Sequence, residues 1–211
     1  MLEDVLLIQK KHRTAAGRIV QLIDRIGVDK TILSIGGESG SGKSVVAHAT
    51  ARLLKTEGVR VKIIHTDNYY KIPPRQRTQW RQANGIDSVG VGEYDLDLLA
   101  KHIDAFKNNR KAQLPCVDLI SDQVDQLSTD FSGIQMIILE GLYALSAASD
   151  LKTFIDLTYE DTRGAQQLRR KERMDDFRLS ILQQEHRAIQ AFRGQADILI
   201  TKDYRVISNS A

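Results

Sequence analysis

Apolar positions along the chain fall into stretches of two different periods. Val5, Ile8, Ala15, Ile19, Leu22 and Ile26 recur at three, four or seven residues and predict an amphipathic helical region that ends near Gly27. The run 31–35 predicts a strand. A helical stretch follows over about 43–57, with Gly58 as its stop signal, and 59–64 is a second strand rich in β-branched residues. Two strand–helix steps with short connections predict a parallel sheet covered by helices, the α/β class. Apolar runs at 136–139, 154–157 and 196–200 extend that sheet. Residues 95–106 return to helical spacing through Leu98, Leu99, Ile103 and Phe106, and 114–120 reads as a short strand of a hairpin flap. Between them, residues 68–94 carry Pro73, Pro74, Gly85, Gly90 and Gly92 and predict a long irregular excursion. Long ordered loops are often functional.

The length of 211 residues fits one α/β domain, with 1–28 as an N-terminal helical extension and 31–211 as the core. Lys and Arg number 30 against 27 Asp and Glu, and the resulting +3 is too small to argue for a nucleic-acid partner. No apolar run approaches the roughly 20 residues that a membrane span needs. Cys116 is the single cysteine and has no intramolecular disulfide partner. With no secretory signal pattern in the sequence, the expected location is the cytoplasm. Self-association is left open.

Chemistry enters at Gly37, Glu38, Ser39, Gly40, Ser41, Gly42, Lys43 and Ser44, which fit GxxxxGK[ST] between a predicted strand and a predicted helix. Glycines let backbone N–H groups close round a phosphate. Lys43 then meets the β and γ phosphates, Ser44 sits on Mg²⁺, and Val45 continues the same first helical turn. ATP and Mg²⁺ are the expected cofactors. A chance Gly/Ser-rich turn is the bland alternative.

Two carboxylates join this loop in the reading. Asp67 follows the second strand, and in a parallel sheet it emerges on the same edge as the loop, placed to take a proton from an attacking hydroxyl or to bind the metal. A turn-capping aspartate is the alternative. Glu140 ends the 136–139 run, as a group that holds Mg²⁺ directly or through water would. From Arg163 through Arg169, Arg170 and Lys171 to Arg173, five basic side chains face one acid, Glu172. A solvated helix face is one reading; a lid near 161–180 that closes over a transferring phosphoryl group is the other.

The order GESGSGKS, HTDNYY, EYDLDLL, LPCVDLISD, IILEGLYAL, an arginine-rich segment and ADILI resembles the uridine kinase and phosphoribulokinase family, most closely its uridine kinase branch. The resemblance implies a P-loop kinase fold: a five-stranded parallel sheet with flanking helices, a β-hairpin flap and a basic lid. It also implies transfer of the γ-phosphate of ATP to a hydroxyl of a small metabolite, a nucleoside above all. In that reading Asp67 is the general base, Glu140 the Mg²⁺-linked acid, and Tyr70 an aromatic contact with the nucleoside. Asp95 matches an acid at the loop-to-helix transition. Asp87 is assigned to ribose hydroxyls, Asp118 and Asp122 to the flap side of the acceptor, and Arg169 and Arg173 to the lid.

The sequence departs from the family where the acceptor is read. The His-Pro pair usual before the 95–106 helix is absent. Val117 and Asp122 stand where the flap ordinarily presents a tyrosine and a histidine, and Gln166 and Gln167 stand where the lid often has two arginines. Other readings are a kinase of a sugar phosphate or a pantothenate-like acid, a nucleotide sensor without catalysis, and a regulatory GTPase. The last is opposed by Asp130–Gly133, whose DxxG precedes a strand, and by Thr201, Lys202 and Asp203, which lack the spacing of TKxD.

Overall fold

A computed structural model describes residues 7–118, 121, 123–162 and 175–209. Helix α1 (Lys10–Ile26) leads into strand β1 (Thr31–Gly37) and helix α2 (Lys43–Thr56); β2 (Val61–His65) follows. Helices α3 (Pro74–Asn84) and α4 (Leu96–Lys107) precede a hairpin of β3 (Lys111–Asp118) and β4 (Gln123–Asp130). Then come β5 (Met136–Glu140), β6 (Leu151–Ile155), helix α5 (Asp176–Arg193), β7 (Ile198–Ile200) and β8 (Val206–Ser208).

The main sheet has the order β2-β5-β1-β6-β7-β8. Its first five strands run parallel, as expected, and β8 adds an antiparallel edge. Both faces are covered, and alternation along the strands shows which side chain goes where. Ile32, Ile64, Ile137, Leu139 and Phe154 pack with Leu99 and Phe106 of α4 and Ile189 of α5. Leu33, Ile35, Val61, Met136 and Ile138 pack with Ile19 and Ile23 of α1 and Val46 and Leu54 of α2.

Several expectations are corrected. The stretch 68–94 is not wholly irregular. Pro74 occupies the first turn of α3, where its missing N–H costs nothing, and Gly85 at φ 81° ends that helix. Of the expected apolar positions of α1, Ala15 and Ile19 are buried and Leu22 packs against the core, but Ile26 is 50% exposed and Val5 lies outside the described residues; His12, Ala16, Val20 and Ile23 complete the buried stripe. The second strand starts at 61 and the fourth main strand at 151, because backbone pairing rather than apolar content sets strand ends. Helix α5 begins at Asp176, inside the stretch expected as lid, with the Asp175 side chain accepting from the Arg178 N–H at its start.

The buried stripe makes a direct prediction. Ile19→Ala should lower unfolding free energy by about 2–5 kcal/mol in urea titration, whereas Ile26→Ala should stay within about 0.5 kcal/mol. Equal costs at the two positions would contradict the packing described.

Candidate active site

Strand β1 ends in Gly37, whose φ of 145° and close approach to β6 admit no side chain: a Cβ there would lie 2.8 Å from the Ile155 carbonyl oxygen. The chain then turns through Gly40 and Gly42, both at positive φ, into the first turn of α2. Three side chains hold successive parts of the loop by its carbonyls. Lys43 Nζ donates to the Glu38 carbonyl at 2.9 Å, Thr162 Oγ1 to that of Ser39 at 3.0 Å, and Tyr204 Oη to that of Ser41 at 2.7 Å. The Glu38 side chain is buried and faces away from the loop mouth. It accepts from the Tyr159 N–H at 2.6 Å and Gln190 Nε2 at 3.0 Å, and its other contact is His186 Nδ1 at 2.6 Å. The loop is thereby tied to α5 and to the turn after β6. Val45 is buried behind it.

Register brings the acids to this loop. Ile35 of β1 pairs with Glu140 of β5, and Glu140 pairs with His65 of β2, so β5 and β2 end in one row while β1 runs on to Gly37. Ser44 Oγ donates to Glu140 Oε2 at 3.1 Å, and His65 Nδ1 hydrogen-bonds Glu140 Oε1. Burial pushes the Glu140 carboxyl up, but His65, Lys43 and Ser44 together outweigh it and hold the group below its ordinary value. Asp67 lies two residues past β2 in the turn Thr66–Tyr69. Burial first, and then the neighbouring Glu140 charge, push its carboxyl up, opposed by Lys43, Arg77 and a hydrogen bond from Tyr94 Oη at 3.2 Å. Gly141 makes the approach possible: a Cβ there would overlap Thr66 Oγ1 and lie 3.3 Å from Asp67 Oδ1.

Beside Asp67 lies a cluster of tyrosines. Tyr70 and Tyr94 pair across an antiparallel bridge, their ring centroids 4.0 Å apart, and Tyr143 meets Tyr94 edge-on at 5.3 Å. The Arg77 guanidinium covers the Tyr70 ring at 3.4 Å from its centroid. Tyr70 was expected to meet a nucleoside with its ring, yet Tyr94 and Arg77 already pack against it. Below this layer Arg81 bonds Glu93 bidentately at 2.7 and 2.8 Å and reaches Glu185 at 3.4 Å, all three buried. That network fixes α3, the turn at Glu93 and α5 against one another. The hairpin joins here, since the Val117 N–H donates to Asn68 Oδ1 at 3.3 Å.

The structure thus brings together the loop residues 37–44, Glu140 and Asp67, with Tyr70 alongside. Asp118 closes β3, one residue past the Val117 contact, and accepts from Ser121 Oγ at 2.7 Å. Asp87 is exposed on a turn packed against α3 and α5. Asp95 is the N-cap of α4, accepting from the Leu98 N–H at 2.9 Å. Arg169, Arg173 and Asp122 lie outside the described residues, as do Gln166 and Gln167. Sequence reasoning missed His65, Arg77, Tyr94 and Tyr204. His65 and Tyr94 stood inside quoted motifs; a side chain at the carboxyl end of β2 was the available signal for His65.

A glycine-rich loop between a central parallel strand and a helix, with acids from the carboxyl ends of β5 and β2, defines a P-loop nucleotide-binding fold. Residues 32–177 match the Phosphoribulokinase / Uridine kinase family, and the chain belongs to it; it is a phosphotransferase acting on a hydroxyl acceptor. A protein named uridine kinase from Staphylococcus aureus (strain JH9) is 32% identical over 184 residues, covering 81% of this chain and 86% of its own. Among solved structures, a possible uridine kinase from Bacillus stearothermophilus superposes with a TM-score of 0.68 at 18% identity, over 89% of this chain and 97% of that one. The phosphoribulokinase from Rhodobacter spheroides gives 0.64 at 17% identity, over 83% and 71% respectively. At those identities the two structures speak for the fold.

The crowding at Gly141 sets a test of how Asp67 is held. Gly141→Ala should destabilise the protein by about 2 kcal/mol or more, and Thr66→Ala in the same chain should recover part of that loss because the overlapping hydroxyl is gone. Strict additivity of the two changes in denaturant titrations would contradict the contact.

Proposed function

We propose that the protein transfers the γ-phosphate of ATP to the 5′-hydroxyl of uridine or cytidine, a step of pyrimidine salvage. The observation that carries the kinase reading is the common edge on which Ser44, Glu140 and Asp67 meet the phosphate loop. The names of the 32%-identical relatives support the nucleoside.

The loop backbone and Lys43 would bind the triphosphate. Ser44 and Glu140, whose Oγ and Oε2 are two hard oxygens 3.1 Å apart, would hold a Mg²⁺ ion, because this ion is commonly bound by one or two protein oxygens together with phosphates and water. When bound it supplies charge neutralisation to the phosphates. The acceptor oxygen forms its bond to the γ-phosphorus as the bond to the β-phosphate oxygen breaks, and the hydroxyl proton passes to Asp67. A carboxyl held above its ordinary value is a stronger proton acceptor once ionised, which suits that role. Tyr94 orients the carboxylate through its 3.2 Å bond.

A second reading is favoured by one observation. Tyr94 and Arg77 already pack against the Tyr70 ring, so an acidic hydroxyl metabolite meeting the Arg77 guanidinium would need no stacking surface there.

Lys43→Ala should abolish phosphoryl transfer with the fold retained by circular dichroism. Asp67→Asn should lower kcat by about 10²- to 10⁴-fold with nucleotide affinity little changed, and Glu140→Gln should shift the Mg²⁺ dependence. Product formation followed by mass spectrometry with uridine, cytidine, purine nucleosides, glycerate, ribulose 5-phosphate and pantothenate separates the acceptor readings. Phosphorylation of an acid with none of any nucleoside would replace the first reading by the second.

A further inference from the structure

The phosphate loop is braced from beneath by a tyrosine that lies 163 residues away in sequence. Tyr204 sits in the turn between β7 and β8 with φ 61°, a left-handed conformation that an aromatic residue adopts only at a cost. Such strain persists where the surroundings over-determine it. Here the Tyr204 N–H donates to the Thr201 carbonyl at 2.8 Å, and the Thr201 N–H donates to that of Arg205 at 2.9 Å. The ring is clasped by the first turn of α1. His12 meets it edge-on, with centroids 4.9 Å apart and planes at 72°, and Lys11 Nζ lies 4.4 Å from its centroid. His12 is itself fixed, because its Nδ1 accepts from the Gln9 N–H at 3.1 Å.

What this clasp delivers is one buried hydrogen bond, from Tyr204 Oη to the Ser41 carbonyl at 2.7 Å. A trans peptide is planar, with its C=O and N–H pointing in opposite directions. Holding the Ser41 carbonyl on the α1 side therefore turns the Gly42 N–H the other way, toward the face from which a phosphate enters. Gly42 has to be glycine for the same reason: it stands at φ 91°, and a Cβ would overlap Tyr204 Oη. A loop that binds anions with its N–H groups loses affinity if one of its carbonyls swings round to face the phosphate.

We propose that Tyr204 is a positioning residue for triphosphate binding and that α1, through His12 and Lys11, is the buttress that keeps it in place. This gives the N-terminal helix a part in nucleotide affinity, and it rests on the reading of residues 37–44 as a triphosphate site. Tyr204 acts through the Ser41–Gly42 peptide, with no contact to the reacting atoms required.

Tyr204→Phe removes only the hydroxyl and keeps the ring that packs on His12. Titration calorimetry with Mg·ATP and Mg·ADP should show Kd rising about 3- to 10-fold, the scale of one neutral hydrogen bond, while the acceptor KM and kcat at saturating ATP stay within about twofold. His12→Ala should weaken nucleotide binding in the same direction, and combining it with Tyr204→Phe should add little, since both act through one bond. Unchanged nucleotide affinity in Tyr204→Phe would overturn the proposal. So would a parallel loss of ATP affinity, acceptor KM and melting temperature, which marks a general structural role. Failure of the wild-type protein to bind Mg·ATP at all would instead remove the triphosphate-site reading, and this inference with it.

Discussion

Parallel register across three strands is the constraint on which the rest depends. Ile35, Glu140 and His65 stand in one row, so β5 and β2 reach their carboxyl ends together while β1 runs on to Gly37 and the phosphate loop. A shift of one residue in β5 would turn Glu140 to the opposite face and separate it from Ser44. The two apolar layers prevent that shift. Ile137 and Leu139 are committed to one face, Met136 and Ile138 to the other, and all four are fully buried. The site's geometry is thus a consequence of core packing. Two carboxylates can be held close because the fold, rather than their own interaction, places them.

The same edge concentrates charge that must be balanced. Glu140 is kept ionised by His65, Lys43 and Ser44, and its charge is one reason the Asp67 carboxyl is pushed up. Unequal environments thus push the two neighbouring carboxyl groups in opposite directions. Around them the loop is anchored by partners from distant parts of the chain: Tyr159, His186 and Gln190 on Glu38, Thr162 on Ser39, Tyr204 on Ser41.

How much was legible in the sequence follows from how local each feature is. The phosphate loop could be read because strand, glycine-rich turn and helix are contiguous, and Asp67 and Glu140 because each directly follows an apolar strand. The parallel sheet followed from the same rhythm. Helix α3 was hidden by Pro73, Pro74 and Gly85, whose turn-forming character is equally that of a helix start and stop. The ion network of Arg81, Glu93 and Glu185 joins residues 104 positions apart, and no period in the sequence announces it. Tyr70 was recognisable as an aromatic beside the site, but only the folded chain shows Arg77 against its ring. The burial of Ala16 in α1 was obscured because alanine carries little hydrophobic signal.

The most direct test of the account is a crystal structure with Mg²⁺ and a non-hydrolysable ATP analogue. The expected result is the γ-phosphate against Lys43, the metal held by Ser44 and Glu140, and the Asp67 carboxylate facing the side of the γ-phosphorus opposite the leaving oxygen. A nucleotide whose phosphates bypass the loop, or a γ-phosphate separated from Asp67 by the Tyr70–Tyr94 layer, would contradict it.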